Sequence, residues 1–90
     1  MASRTVTIRN TLGLHARAAT RLVECANRYE SEIWLRRDGR RVDGKSILGL
    51  LTLAAGPGMA VEIETSGADE RAALLALSEL IESGFGEPEI

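Results

Sequence analysis

Glu32-Ile33-Trp34-Leu35-Arg36-Arg37-Asp38-Gly39-Arg40-Arg41-Val42 decides the fold. Ile33 and Leu35 alternate with Glu32, Trp34 and Arg36, the period-two pattern of a strand with one buried face. Asp38-Gly39 is a two-residue hairpin signal, because the turn that joins twisted antiparallel strands needs positive φ at both central positions. The chain is therefore expected to return antiparallel through Arg40-Arg41-Val42, with Trp34 exposed on the face opposite Ile33 and Leu35.

The same two periods extend outward from this hairpin. Upstream, Thr5-Val6-Thr7-Ile8-Arg9 alternates as a strand over 5–9, and Asn10-Thr11-Leu12-Gly13 turns the chain. Ala19, Leu22, Val23 and Ala26 then fall at i, i+3, i+4 and i+7, which predicts a helix from 16 to about 27 with His15 at its N-cap. Downstream, Ser46 caps a short apolar helix over 47–53, with Leu50 and Leu53 turned inward, which Gly56-Pro57-Gly58 ends. Val61 and Ile63 alternate with Glu62 and Glu64 in a fourth strand. Asp69 is expected to cap a last helix whose stripe is Ala73, Leu74, Leu77, Leu80 and Ile81, stopped by Gly84. The order β-α-β-β-α-β-α, with one-sided strands throughout, predicts an α+β fold: an open-faced β-sandwich whose antiparallel sheet carries helices on one face. The chain reads as a single domain over 1–90, with a frayed tail over 86–90.

Composition narrows the function. Ninety residues support one core and one site. A hydrophobic fraction of 44% with only 3% aromatics gives an aliphatic globular core, and a net charge of -2 argues against a dedicated nucleic-acid binder. One cysteine, Cys25, permits neither an internal disulfide nor a cysteine-based metal site, and a redox role for this helix-edge thiol is disfavoured; no metal and no cofactor are expected. With no signal-like or spanning apolar run, the expectation is a cytoplasmic protein that uses no membrane.

The single histidine lies in Gly13-Leu14-His15-Ala16-Arg17. A neutral imidazole nitrogen is a good nucleophile, a helix N-terminus offers N–H donors to an anion, and Arg17 adds a forked cation suited to phosphate oxygens. The pattern is that of a phosphoryl-binding site. Isolated histidines are commonly structural, so these residues alone make the assignment a minority one.

Gly13-Leu14-His15-Ala16-Arg17, Gly44-Lys45-Ser46-Ile47-Leu48-Gly49-Leu50 and Ser66-Gly67-Ala68-Asp69-Glu70 together closely resemble the HPr family of phosphocarriers of the bacterial phosphoenolpyruvate-dependent phosphotransferase system. The resemblance covers nearly the whole chain. It implies a four-stranded sheet in the order 1-4-2-3 under three helices. It also implies a carrier, not an enzyme, that takes a phosphoryl group from phosphoenolpyruvate-charged enzyme I and gives it to a histidine of an enzyme IIA domain. On this basis His15 is the acceptor through Nδ1 and Arg17 stabilises the phosphate; the backbone amides of the helix start, Ala16, Arg17 and Ala18, are the expected donors to it on helix chemistry alone. Ser46 matches a serine phosphorylated in some bacteria by HPr kinase/phosphorylase. Arg21, Ile47, Leu48 and Leu51 form the docking patch, and a monomer is expected.

Two positions depart from the family pattern. Ala18 stands where proline is usual, and Glu24 where some members are basic. Two competing functions remain. One is a regulatory paralogue without sugar transport. The other is a small nucleic-acid-binding module gripping phosphates with Arg36, Arg37, Arg40 and Arg41, a cluster more simply read as a solvated hairpin.

Overall fold

The computed structural model describes residues 1–87, which form β1 (Ala2–Thr7), α1 (Ala16–Ala26), β2 (Glu32–Arg37), β3 (Arg40–Asp43), α2 (Ile47–Thr52), β4 (Ala60–Ser66) and α3 (Glu70–Glu82), then a 3-10 turn at Gly84–Gly86. The sheet runs in the order β1-β4-β2-β3 with every neighbouring pair antiparallel, the α+β open-faced sandwich anticipated from the strand patterns. Asp38 and Gly39 have φ of 50° and 78°, the left-handed pair the hairpin requires.

Period-two burial places Val6, Ile33, Leu35, Val61 and Ile63 on one side of the sheet. Over them lie Ala18, Ala19, Leu22 and Ala26 from α1, Leu50 from α2, and Ala73, Leu77 and Ile81 from α3. Each large aliphatic side chain removed from water here contributes about 1.5–3 kcal/mol. Of the helices, α3 lies against β1 and β4, whereas α1 packs mainly against α2 and α3, its buried alanines facing the shared core. Leu74 and Leu80 of the expected α3 stripe are only partly buried, while Ser78 is fully buried.

The opposite face is less open than the alternation implies. Trp34 is half-buried, because the guanidinium of Arg41 lies 4.0 Å from its ring centroid. Register explains the stack: Arg41 pairs with Arg36, which puts it diagonal to Trp34 across the hairpin. Two like charges directly opposed would repel, but Glu64 of β4, only 9% exposed, accepts from Arg41 Nε at 3.1 Å and pairs with Arg36 at 3.6 Å. The other two hairpin arginines reach the end of α2, where Arg37 donates to the Leu53 carbonyl and Arg40 to that of Thr52. They satisfy carbonyls that a helix C-terminus leaves unpaired.

That capping accounts for a difference at α2. The helix was expected to be stopped by Gly56-Pro57-Gly58, yet it ends at Thr52, with Ala54 taking the left-handed φ of 51° two residues before Gly56. An alanine there costs about 1–2 kcal/mol relative to its usual conformations, and the arginine hydrogen bonds offset that cost.

Asp69 also departs from expectation. It occupies the N-cap position of α3 but makes no capping hydrogen bond. Its carboxylate instead accepts from the backbone amides of Glu30 and Ser31 and from the Ser31 hydroxyl, tying the α1–β2 loop to the β4–α3 loop. Glu70, the first residue of α3, accepts from Gly67 N at 3.2 Å and so closes the β4–α3 loop onto the helix. Of the tail expected over 86–90, residues 88–90 lie outside the described residues, Gly86 closes the 3-10 turn, and Glu87 is half-buried and hydrogen-bonded. No helix among the described residues is long and apolar enough to cross a membrane.

The Asp69 network makes stability depend on pH. The Ser31 hydroxyl first, and then the Glu30 amide, hold the Asp69 carboxyl below its ordinary value of 3.8. A depressed carboxyl stabilises the fold above its unfolded pKa, and that contribution is lost as pH falls through the lower folded-state value. Asp69→Asn is therefore expected to melt at a lower temperature than the wild type near neutrality, with the gap closing as pH falls below 3.8. Thermal melts across an acid series measure this, and a gap that stays constant over the series contradicts it.

Candidate functional site

The loop leading into α1 is held from below by one glycine. Gly13 has φ of +67°, and a Cβ there would lie 2.6 Å from the Ala55 carbonyl oxygen and 2.8 Å from Gly56 Cα. Only glycine fits both the conformation and the space. Next in sequence, Leu14 donates its amide to that same Ala55 carbonyl at 2.8 Å and buries its side chain. His15 is thereby delivered to the helix start in extended conformation, φ -86° and ψ -178°, as an N-cap residue requires.

His15 caps with its ring. Nδ1 accepts from the Arg17 amide at 3.3 Å, and the His15 carbonyl accepts from Ala19 N at 2.8 Å. Of the four amides a helix N-terminus leaves without intrahelical partners, those of Ala16 and Ala18 thus remain free among the described residues. The other ring nitrogen, Nε2, lies 2.6 Å from Glu87 Oε2. Nδ1 faces a donor and Nε2 faces a carboxylate, so these partners assign the neutral ring as the Nε2–H tautomer. The Nδ1 lone pair then points at the amide end of α1, where the helix dipole favours negative charge.

Glu87 is fixed in turn by Asn10, whose side-chain amide donates to Glu87 Oε1 at 2.9 Å and to the Gly13 carbonyl at 2.6 Å. The hydrogen bond from His15 is the largest influence holding the Glu87 carboxyl below its ordinary range, with Asn10 and Arg21 acting the same way. Sequence reasoning passed over both Asn10 and Glu87. No local pattern marks a pair of residues 77 positions apart, or a carboxylate 72 positions from the histidine it meets.

The remaining singled-out residues surround this centre. Arg17 is exposed, with no side-chain ion pair among the described residues. Arg21 is partly buried and donates to the Phe85 carbonyl, anchoring the turn that precedes Glu87. Ala18 is fully buried, its methyl in the core, and its amide has no backbone partner among the described residues. Ser46 caps α2, its hydroxyl accepting from Gly49 N at 3.0 Å. Ile47 and Leu48 are exposed, Leu48 by 78%, while Leu50 and Leu53 turn inward as expected and Leu51 is half-buried. Leu12, 70% exposed in the loop before His15, is a further exposed apolar side chain that sequence reasoning left out. Cys25 is a buried free thiol that desolvation pushes up, against the opposing pull of Arg28. No cluster of ligating side chains able to hold a metal occurs among the described residues.

Comparison with known proteins shows the family. Residues 2–83 match the family described as the PTS HPr component phosphorylation site. The phosphocarrier protein HPr of Neisseria meningitidis is 47% identical over 89 residues, covering 99% of this chain and 100% of its own length. The HPr-like protein Crh of Halalkalibacterium halodurans is 43% identical over 82 residues, 91% of this chain and 98% of its own. Among solved structures, HPr of Thermoanaerobacter tengcongensis superposes with a TM-score of 0.94 at 42% identity, covering 98% of this chain and 99% of that one. The same protein has also been solved as a dimer.

Proposed function

The chain belongs to the HPr family of phosphotransferase-system phosphocarriers, and from that premise we propose that His15 accepts a phosphoryl group on Nδ1 from phosphoenolpyruvate-charged enzyme I and passes it to a histidine of an enzyme IIA domain. The observation that carries this reading is the Nδ1 lone pair held at a helix N-terminus beside two free amides. As phosphoryl oxygens arrive, the Ala16 and Ala18 amides donate to them, the Arg17 amide exchanges Nδ1 for phosphate, and the exposed Arg17 guanidinium closes over the outer oxygens. Such transfer needs positioning and charge neutralisation more than covalent chemistry from the protein, so the reading includes no metal and no cofactor. Alanine at position 18 adds an amide donor that proline would lack.

Docking is assigned to Arg21, Ile47, Leu48 and Leu51. The exposure of Ile47 and Leu48 supports a contact surface there, and the tie from Arg21 to Phe85 links that surface to the segment carrying Glu87. The reading places the carrier in the cytoplasm as a monomer. Against the nucleic-acid alternative, Arg37 and Arg40 are engaged by α2 carbonyls and Arg36 and Arg41 by Glu64. The regulatory alternative is kept alive by the similarity to Crh and by Ser46. A phosphate on that hydroxyl adds negative charge beside Ile47 and Leu48, on the face a partner must approach.

Incubated with phosphoenolpyruvate and its cognate enzyme I, the protein is expected to take one acid-labile, base-stable phosphoryl group, and His15→Ala none. Full labelling of His15→Ala removes the assignment. In the same assay Ser46→Asp, which still caps α2, is expected to be phosphorylated more slowly with little change in melting temperature. An unchanged rate counts against regulation at Ser46.

A further inference from the structure

We infer that Glu87 is a positioning residue for phosphoryl transfer: its carboxylate keeps the proton on His15 Nε2, pairs with the imidazolium that forms when Nδ1 takes the phosphoryl group, and so sets how tightly the carrier holds its cargo. The inference rests on the carrier reading of His15 and extends it to a residue 72 positions away.

The backbone before Glu87 is built at a cost. Gly84, Phe85 and Gly86 take φ of 72°, 59° and 71°, three left-handed residues in succession, and a bulky residue rarely adopts that conformation. Strain of this kind persists where surroundings impose it. Here the Phe85 side chain is 1% exposed in the core, and Arg21 holds its carbonyl. The run turns the chain leaving α3 back across the start of α1, which brings the Glu87 carboxylate onto the far side of the His15 ring.

Asn10 carries an independent sign of the same requirement. It is 3% exposed, it directs its amide nitrogen to both Gly13 O and Glu87 Oε1, and its Oδ1 has no partner among the described residues. A buried unpaired carbonyl costs about 1–3 kcal/mol. Turning the amide over would set that oxygen against two acceptors, so the orphan is the consequence of clamping Glu87 and the phosphate loop with one side chain.

The chemistry follows from the tautomer. Neutral His15 has its proton on Nε2, and Nδ1 attacks phosphorus. A new Nδ1–P bond forms, the bond from phosphorus to its carrier atom on enzyme I breaks, and that bond's electron pair stays with the carrier atom. The Nε2 proton does not leave. The ring thus becomes an imidazolium between two anions, the phosphoryl group at Nδ1 and the Glu87 carboxylate at Nε2. A carboxylate interacts more strongly with that cation than with the neutral ring that preceded it, as the aspartate of a Ser-His-Asp triad does. Arg17 on the phosphate side and Arg21 near Glu87 limit the repulsion between the two anions. Glu87 therefore favours the phosphorylated state.

Two variants separate hydrogen bonding from charge. Gln at position 87 still offers an oxygen to Nε2–H but no charge, whereas Ala offers neither. The phosphorylation equilibrium is read at fixed phosphoenolpyruvate and pyruvate with catalytic enzyme I, and the ring by 15N NMR of the unphosphorylated protein. Glu87→Gln is expected to keep a slowly exchanging Nε2–H signal while its equilibrium shifts roughly tenfold toward the unphosphorylated form, the effect of about one pKa unit of charge pairing. Glu87→Ala is expected to lose the protected Nε2–H as well. An equilibrium for Glu87→Gln within about twofold of wild type overturns the inference. Should wild-type His15 take no phosphoryl group, the carrier reading fails by itself, and the NMR comparison still judges Glu87: a protected Nε2–H retained in Glu87→Ala overturns its role.

Discussion

The His15 ring caps α1, and the rest of the site is arranged around that requirement. A capping side chain must present an acceptor to the first turn of its helix, and an imidazole does so only with a lone pair. Using Nδ1 for the Arg17 amide places the second nitrogen outward, where Glu87 accepts a hydrogen bond from its N–H. A capping hydrogen bond of 3.3 Å is a weak one. It holds the nucleophile in line with the helix amides without tying it up, and phosphate oxygens are better acceptors for the same donors. On the proposed reading, capping and phosphoryl binding are alternative uses of one set of N–H groups.

Elements remote from His15 serve this arrangement. The buried side of α1 packs against α2 and α3, and Gly13, pressed against Ala55 and Gly56, sets where the loop rises to meet that helix. The hairpin arginines hold α2 by its last carbonyls, so the helix carrying Ser46, Ile47 and Leu48 is fixed to the sheet although it is only six residues long. The site therefore stands on packed elements at both ends: α1 and its loop beneath the ring, and the buried Phe85 beneath Glu87.

What the sequence disclosed was local. Asp38-Gly39 announced the hairpin, two periods separated strands from helices, and Gly13-Leu14-His15-Ala16-Arg17 set a histidine at a helix start. Each of these signals lies within a few residues of its consequence. The misreadings share the opposite property. Asp69 resembles a helix cap until the α1–β2 loop arrives to take its carboxylate, and Trp34 looks exposed until Arg41 crosses the hairpin to lie over it. Ala54 could be recognised as the stop of α2 only with Arg37 and Arg40 in view. Glu87 followed a glycine stop and preceded a proline, the composition of a loose end, and only the burial of Phe85 shows why it is held. The order of elements was legible in pattern and the strand order only through the family resemblance, whereas partners of charged side chains were not legible, because long-range contacts choose among several locally equivalent partners.

The central claim is that the fold presents Nδ1, and not Nε2, to the incoming phosphorus. Phosphorus–nitrogen coupling measured by 31P and 15N NMR on uniformly labelled phosphorylated protein identifies the bonded atom directly. The account predicts one-bond coupling to Nδ1, with Nε2 still carrying its proton. Coupling to Nε2 would contradict it, since that nitrogen is the one Glu87 covers.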